Sequence, residues 1–122
     1  MFSGRMEVVA IDAALTRDCE WFTKMSPFLE VTIGQFSQQT DHHRRGGMTP
    51  DWKRESLMFQ INNECEIKFT VWDHEPNGKH DHVGSGSIMI KNIAEGANQY
   101  KLPIHYEGKE AGRVKIGCVW EK

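Results

Sequence analysis

The chain has 122 residues, 39% hydrophobic and 26% charged, a balance that fills one core and leaves no material for a second, so one domain over residues 1–122 is expected. A net charge of −2 and the lack of a long Lys/Arg run exclude a general electrostatic pull toward nucleic acid. No apolar stretch approaches the ~18–20 residues of a membrane span, and the opening residues MFSGRMEVV lack the apolar core of a secretory signal, so the expected location is the cytoplasm.

Along the chain, strand patterns run over residues 6–13, 28–35, 36–42, 55–62, 65–73, 83–91, 99–104 and 112–120. Between them lie the turn signals Gly46-Gly47, Asn62-Asn63, Asn77-Gly78 and Glu107-Gly108. Residues 92–98 have room for one helical turn and no more. Eight short strands with this turn chemistry predict an all-β fold, an eight-stranded antiparallel β-sandwich. Same-parity spacing places Leu29, Val31, Ile33, Leu57, Phe59, Ile67, Phe69, Val71, Ile88 and Ile116 in one core between two sheets. Cys19, Cys65 and Cys118 are odd in number and lack CxxC spacing, so free thiols in a reducing compartment are expected, two of them on inward strand parities.

Residues 71–84, VWDHEPNGKHDHVG, concentrate the chemistry. Ile67, Phe69 and Val71 alternate with Lys68, Thr70 and Trp72 as in a strand buried on one face, and Pro76, Asn77 and Gly78 then turn the chain. Asp73, Glu75 and Asp81 stand across that turn, where their oxygens can converge on a hard cation. Calcium takes six to eight oxygens, so three carboxylates alone do not fill its shell, and spacing alone suits a solvated acidic loop equally well.

The pattern V-W-D-x-E-x-x-x-x-x-D-x-V-G resembles the third calcium-binding loop of the C2 domain, the calcium-dependent phospholipid-binding module. Three further segments agree in order: MEVVAIDA at residues 6–13 resembles its first strand, SPFLEV at 26–31 its Asp-Pro-Tyr strand opening, and TPDWKRESLMF at 49–59 its Asn-Pro-x-Trp-Asn-Glu segment. The strand at residues 112–120 resembles one that other members carry at the start, so the permuted, type II order is implied. The whole chain is similar to the small single-domain C2 proteins of plants and protists, which end in a segment like that at 106–116.

The resemblance implies a Ca²⁺ site in which Asp73, Glu75 and Asp81 take the three third-loop positions. Ser26 stands where an acid is expected before Pro27, removing a ligand that usually bridges two ions. Asp18 is assigned as the remaining first-loop ligand, with Glu20 as its alternative, and a single weak ion is the most this set supports. Beside the third loop the resemblance places Trp21, Phe22 and Met25. They suit membrane contact at a loop tip, or else the loop folds back and buries them. Arg44, Arg45, Lys53 and Arg54 offer a basic route to anionic headgroups, or else a solvated loop. His74, His80 and His82 lie near the acids but lack zinc spacing and read as surface histidines.

No nucleophile elbow, phosphate loop or HExxH motif is present, so an enzyme reading is rejected. Two function classes follow from the resemblance. One is a peripheral membrane-targeting module that binds anionic phospholipid with Ca²⁺ as a bridge. The other is a calcium-independent scaffold domain with a protein partner.

Overall fold

The structure, a computed structural model, describes residues 3–20 and 23–122. Eight strands are present: β1 (Ser3–Leu15), β2 (Pro27–Ile33), β3 (Phe36–Gln39), β4 (Asp51–Asn62), β5 (Glu66–Asp73), β6 (Asp81–Met89), β7 (Gly96–Tyr106) and β8 (Lys109–Glu121). They join in the order β3-β2-β5-β6-β7-β8-β1-β4, with every pairing antiparallel. β6 and β7 meet at one pair, Ser85 opposite His105, and there the sheet folds over into two four-stranded layers. The crease needs a residue without a side chain: a Cβ on Gly86 would stand 2.5 Å from the Pro103 carbonyl oxygen and 2.9 Å from the Phe69 ring.

β8 lies between β7 and β1, so the final strand completes the second layer. That is the type II order expected from the C-terminal position of this strand. Tyr106 pairs with Lys109 across Glu107 and Gly108, whose φ values of 50° and 80° make the two-residue turn that matches strand twist.

Nine of the ten expected core residues are buried, while Ile88 is half-buried and packs against the cluster. Met6, Val8, Trp52, Ile104, Val114 and Trp120 are among the others in the same interior. Each large side chain removed from water contributes about 1.5–3 kcal/mol, and that burial holds the layers together.

Three local expectations are corrected. β3 ends at Gln39 and does not run to residue 42: the Thr40 N–H still donates to the Leu29 carbonyl at 2.9 Å, but the return bond from the Leu29 N–H goes to the buried Thr40 hydroxyl at 3.0 Å. The helical turn falls at Ile90–Asn92, where the Ile93 N–H closes on the Ile90 carbonyl, and Gly96 already begins β7. Only one of the two cysteines on inward parities is buried, Cys118; Cys65 precedes the first residue of β5 and is exposed. No helix among the described residues is long and apolar enough to cross a membrane.

Candidate functional site at the loop end

Three connections meet at one end of the sandwich: residues 16–20 and 23–26 after β1, 40–50 after β3 and 74–80 after β5. Cross-bonds hold them together. The Trp52 indole N–H donates to the Pro27 carbonyl at 3.0 Å, the Gly47 N–H to the Met25 carbonyl at 3.0 Å, and the His74 N–H to the Ser26 carbonyl at 3.0 Å. The Ser26 hydroxyl accepts the Arg45 N–H at 3.0 Å, so the residue standing in for the expected acid ties the first loop to the second.

Asp73 ends the inward row of β5 and is 1% exposed. One carboxylate oxygen accepts the Ser26 N–H at 2.8 Å, while the other, Oδ2, is buried and accepts from no donor among the described residues. An ionised oxygen out of water with no donor is costly, and a cation is the partner such an atom lacks. Glu20, Asp73, Glu75 and Asp81 each aim an oxygen at the same place, all within 4.8 Å of one another.

The electrostatics report the crowding. The Glu20 carboxyl is held above its ordinary 4.5, first by its contact with Asp73, then by burial, and by the charges of Asp73 and Asp81. Glu75 is raised too, chiefly by its contact with Glu20, with burial and the Glu20 and Asp81 charges adding. Carboxyl groups this close raise one another's pKa, because ionising them together sets like charges side by side.

Of the two first-loop candidates, the structure brings Glu20 and not Asp18 to the cluster. Asp18 is exposed and its carboxylate accepts the Glu20 N–H at 2.9 Å, a local turn that leaves Glu20, two residues on, to join the cluster. The turn chemistry of Asp was the available signal, because a short Asp side chain that bonds two residues ahead is committed to its own backbone.

The expectation for Met25 is corrected. It is fully buried, its sulfur accepts the Cys19 N–H at 3.5 Å, and it belongs to the core rather than to a membrane-facing tip. Trp21 and Phe22 lie outside the described residues. Arg44 and Arg45 are exposed and line a cleft of about 310 Å³ together with Glu20, Asp73 and Glu75, so basic and acidic groups share one mouth. Lys53 belongs to the adjoining groove with His42, His43 and Arg44, and Arg54 follows it, exposed, on β4.

The histidines divide. His74 stacks on His42 of the second loop at 3.9 Å and 9°, His80 lies 5.0 Å beyond, and Phe28 meets both edge-on. His80 Nδ1 accepts the Glu75 N–H at 2.9 Å, which fixes the acid's backbone beside the cluster. His42 titrates below 6.5 through burial first and then through the charge of His74. His82 turns away to Trp72 and Tyr106. His42 was not tied to this group by sequence, since 32 positions separate it from His74 and only the loop packing joins them.

The family model for the C2 domain matches residues 4–103. The 16 kDa phloem protein 2 of Arabidopsis thaliana is 23% identical over 90 residues, which are 74% of this chain and 61% of that protein. The chain therefore spans less than two thirds of the length of that relative. The first C2 domain of plant Extended Synaptotagmin 1 superposes with a TM-score of 0.82 at 18% identity, over 97% of this chain and 94% of that one. Calcium-bound Extended-Synaptotagmin 2, in a structure with two C2 domains, gives 0.79 at 17% identity over 96% of this chain and 45% of that one. At these identities the structural likeness speaks for the fold.

Proposed function

The chain belongs to the C2 domain family, and from that premise we propose that it is a non-catalytic, peripheral membrane-targeting module that holds one Ca²⁺ at its loop end and then docks on anionic phospholipid. The observation that carries this reading is the buried Asp73 carboxylate: its Oδ2 accepts from no donor among the described residues, and one of its oxygens lies within 4.8 Å of oxygens of Glu20, Glu75 and Asp81. Four carboxylates supply oxygen ligands of the type Ca²⁺ takes, and flexible geometry suits a set drawn from two loops. The calcium-bound state of Extended-Synaptotagmin 2 supports the choice of ion.

Without metal the cleft repels an anionic surface through its acids. A divalent ion reverses that local sign, and Arg44 and Arg45 at the same mouth then add their attraction, roughly 1 kcal/mol each near an anionic leaflet. The protein's own part is to hold the carboxylates together, with Ser26 and His80 fixing the backbones of the loops.

A second reading, a calcium-independent scaffold domain with a protein partner, is favoured by Ser26 alone. Its hydroxyl is engaged by the Arg45 N–H, so the loop end is already closed by a neutral contact where an acid would have added a ligand.

Calorimetric titration of the metal-free protein with Ca²⁺, followed by sedimentation with phosphatidylserine vesicles, decides between them. The membrane reading expects one bound ion and calcium-dependent sedimentation, weakened by salt and by Arg44→Ala with Arg45→Ala. Apolar contact by Trp21 and Phe22 is hardly screened, so Trp21→Ala with Phe22→Ala separates the two modes of attachment. Wild type in the supernatant under every condition would exclude both lipid routes and leave the scaffold reading.

A further inference from the structure

The outer face of the β7–β8–β1–β4 layer carries charges that the loop end does not use. Asp51 pairs with Asp12, Asp12 with Lys115, and Lys115 with Lys101, so one row crosses four strands in the order acid, acid, base, base. At about 4.8 Å between strands the row spans roughly 14 Å. Like charges directly opposite each other destabilise a sheet, and here both outer pairs are alike. Among the described residues, no ion pair relieves them; the salt bridge in this region joins Arg113 to Glu110 at 3.5 Å.

This row lies where the sheet bends. Ile11 is an extra residue on β1 between the pairs Ala10–Ile116 and Asp12–Lys115, and facing it on β4, Lys53 and Arg54 take φ values of 55° and 56°. Bulges of this kind kink a strand and re-aim its side chains. A hollow of about 470 Å³ opens at the bend, lined by Asp12, Asp51, Lys101, Arg113 and Lys115, a size suited to a small molecule.

We propose that this hollow binds a phosphate ester that also carries an ammonium group, phosphoethanolamine being the simplest. Its phosphate lies on Lys101, Lys115 and Arg113, and its ammonium lies on Asp12, beside the second oxygen of Asp51, whose Oδ1 accepts the Lys53 N–H at 2.8 Å. A phosphate alone relieves only the basic half of the row, and an amine alone only the acidic half. A ligand with both ends neutralises both like-charge pairs by charge-assisted hydrogen bonds. The same chemistry occurs in the soluble ester and in a phosphatidylethanolamine headgroup.

The test is a two-dimensional ¹⁵N NMR titration of the protein with O-phosphoethanolamine in the presence of chelator, which keeps the loop-end site out of the readout. Saturable shifts are expected at Asp12, Val114 and Lys115. Lys101→Ala with Lys115→Ala should weaken the response by about tenfold or more. Asp12→Asn should reduce the affinity to that for inorganic phosphate, leaving inorganic phosphate itself unaffected. If the double alanine variant does not fold, Lys115→Gln keeps the aliphatic stem and removes the charge.

Flotation with phosphatidylethanolamine vesicles in chelator forms the second arm. A response that the lysine variant loses supports the proposal in either arm, and the responding arm identifies the source of the ester. Silence in both arms up to about 10 mM ester, or inorganic phosphate bound as tightly as the zwitterion, overturns it.

Discussion

The inward row of β5 runs Ile67, Phe69, Val71 and Asp73, four residues on one face of one strand and all buried. The first three meet apolar neighbours and gain by leaving water. The fourth reaches the open end of the sandwich, where the neighbours are Glu20, Glu75 and Asp81 and one of its oxygens has no donor. Burial is therefore not one property. Along the strand it stabilises, and one residue past the apolar stretch it stores an unmet demand for positive charge. The core holds an orphan of its own, the Trp120 indole N–H, but a neutral donor costs less to leave unpaired than an ionised oxygen.

The largest expected effect breaks the apolar side of that comparison. Phe69→Ala leaves a cavity beneath the Gly86 crease, where the backbone already approaches closely, and should lower unfolding free energy by about 3–5 kcal/mol. Urea denaturation checks it, and a midpoint shift equivalent to under about 1 kcal/mol would mean that the crease repacks.

Next comes the acidic end. Ca²⁺ at a hundredfold excess over its dissociation constant should stabilise the wild type by about 2.7 kcal/mol, seen as a higher melting temperature than in chelator. Asp73→Asn keeps an acceptor for the Ser26 N–H but loses the charge, so the gain should vanish while the metal-free protein melts no lower than wild type. Equal melting curves for wild type with and without millimolar Ca²⁺ would remove the metal from the function.

A smaller effect sharpens the same contrast through pH. Glu20 and Glu75 are raised above 4.5, so between that value and their folded pKa values the folded chain holds protons that the unfolded chain has released. Their contribution is full below 4.5 and is lost as pH rises through the raised values. His42 and His82, depressed below 6.5, contribute oppositely: their share is present above 6.5 and lost as pH falls through the depressed values. The acid part is isolated by comparing metal-free wild type with Glu20→Gln, whose melting temperature should fall less from pH 4.5 toward neutrality. Parallel curves would show that Glu20 does not share a proton in the cluster.

The last test changes no stability. Burial pushes the Cys118 thiol up to about 12, whereas Cys65 is exposed. A maleimide should label Cys65 in the native protein and reach Cys118 only after denaturation, as mass spectrometry of digested fragments would record.

The strand count, the parity of the core and the late position of β8 were legible in the sequence, because period-two alternation and turn residues are local signals that tertiary packing then reinforced. So were Asp73, Glu75 and Asp81, which one turn places together. What joins them is set by packing between loops. Glu20 rather than Asp18 reaches the cluster, Met25 packs into the core, and His42 stacks on His74 across two loops. The row from Asp51 to Lys101 exists only once four strands are in register, since residues far apart in the chain become neighbours through hydrogen bonds that no local pattern encodes.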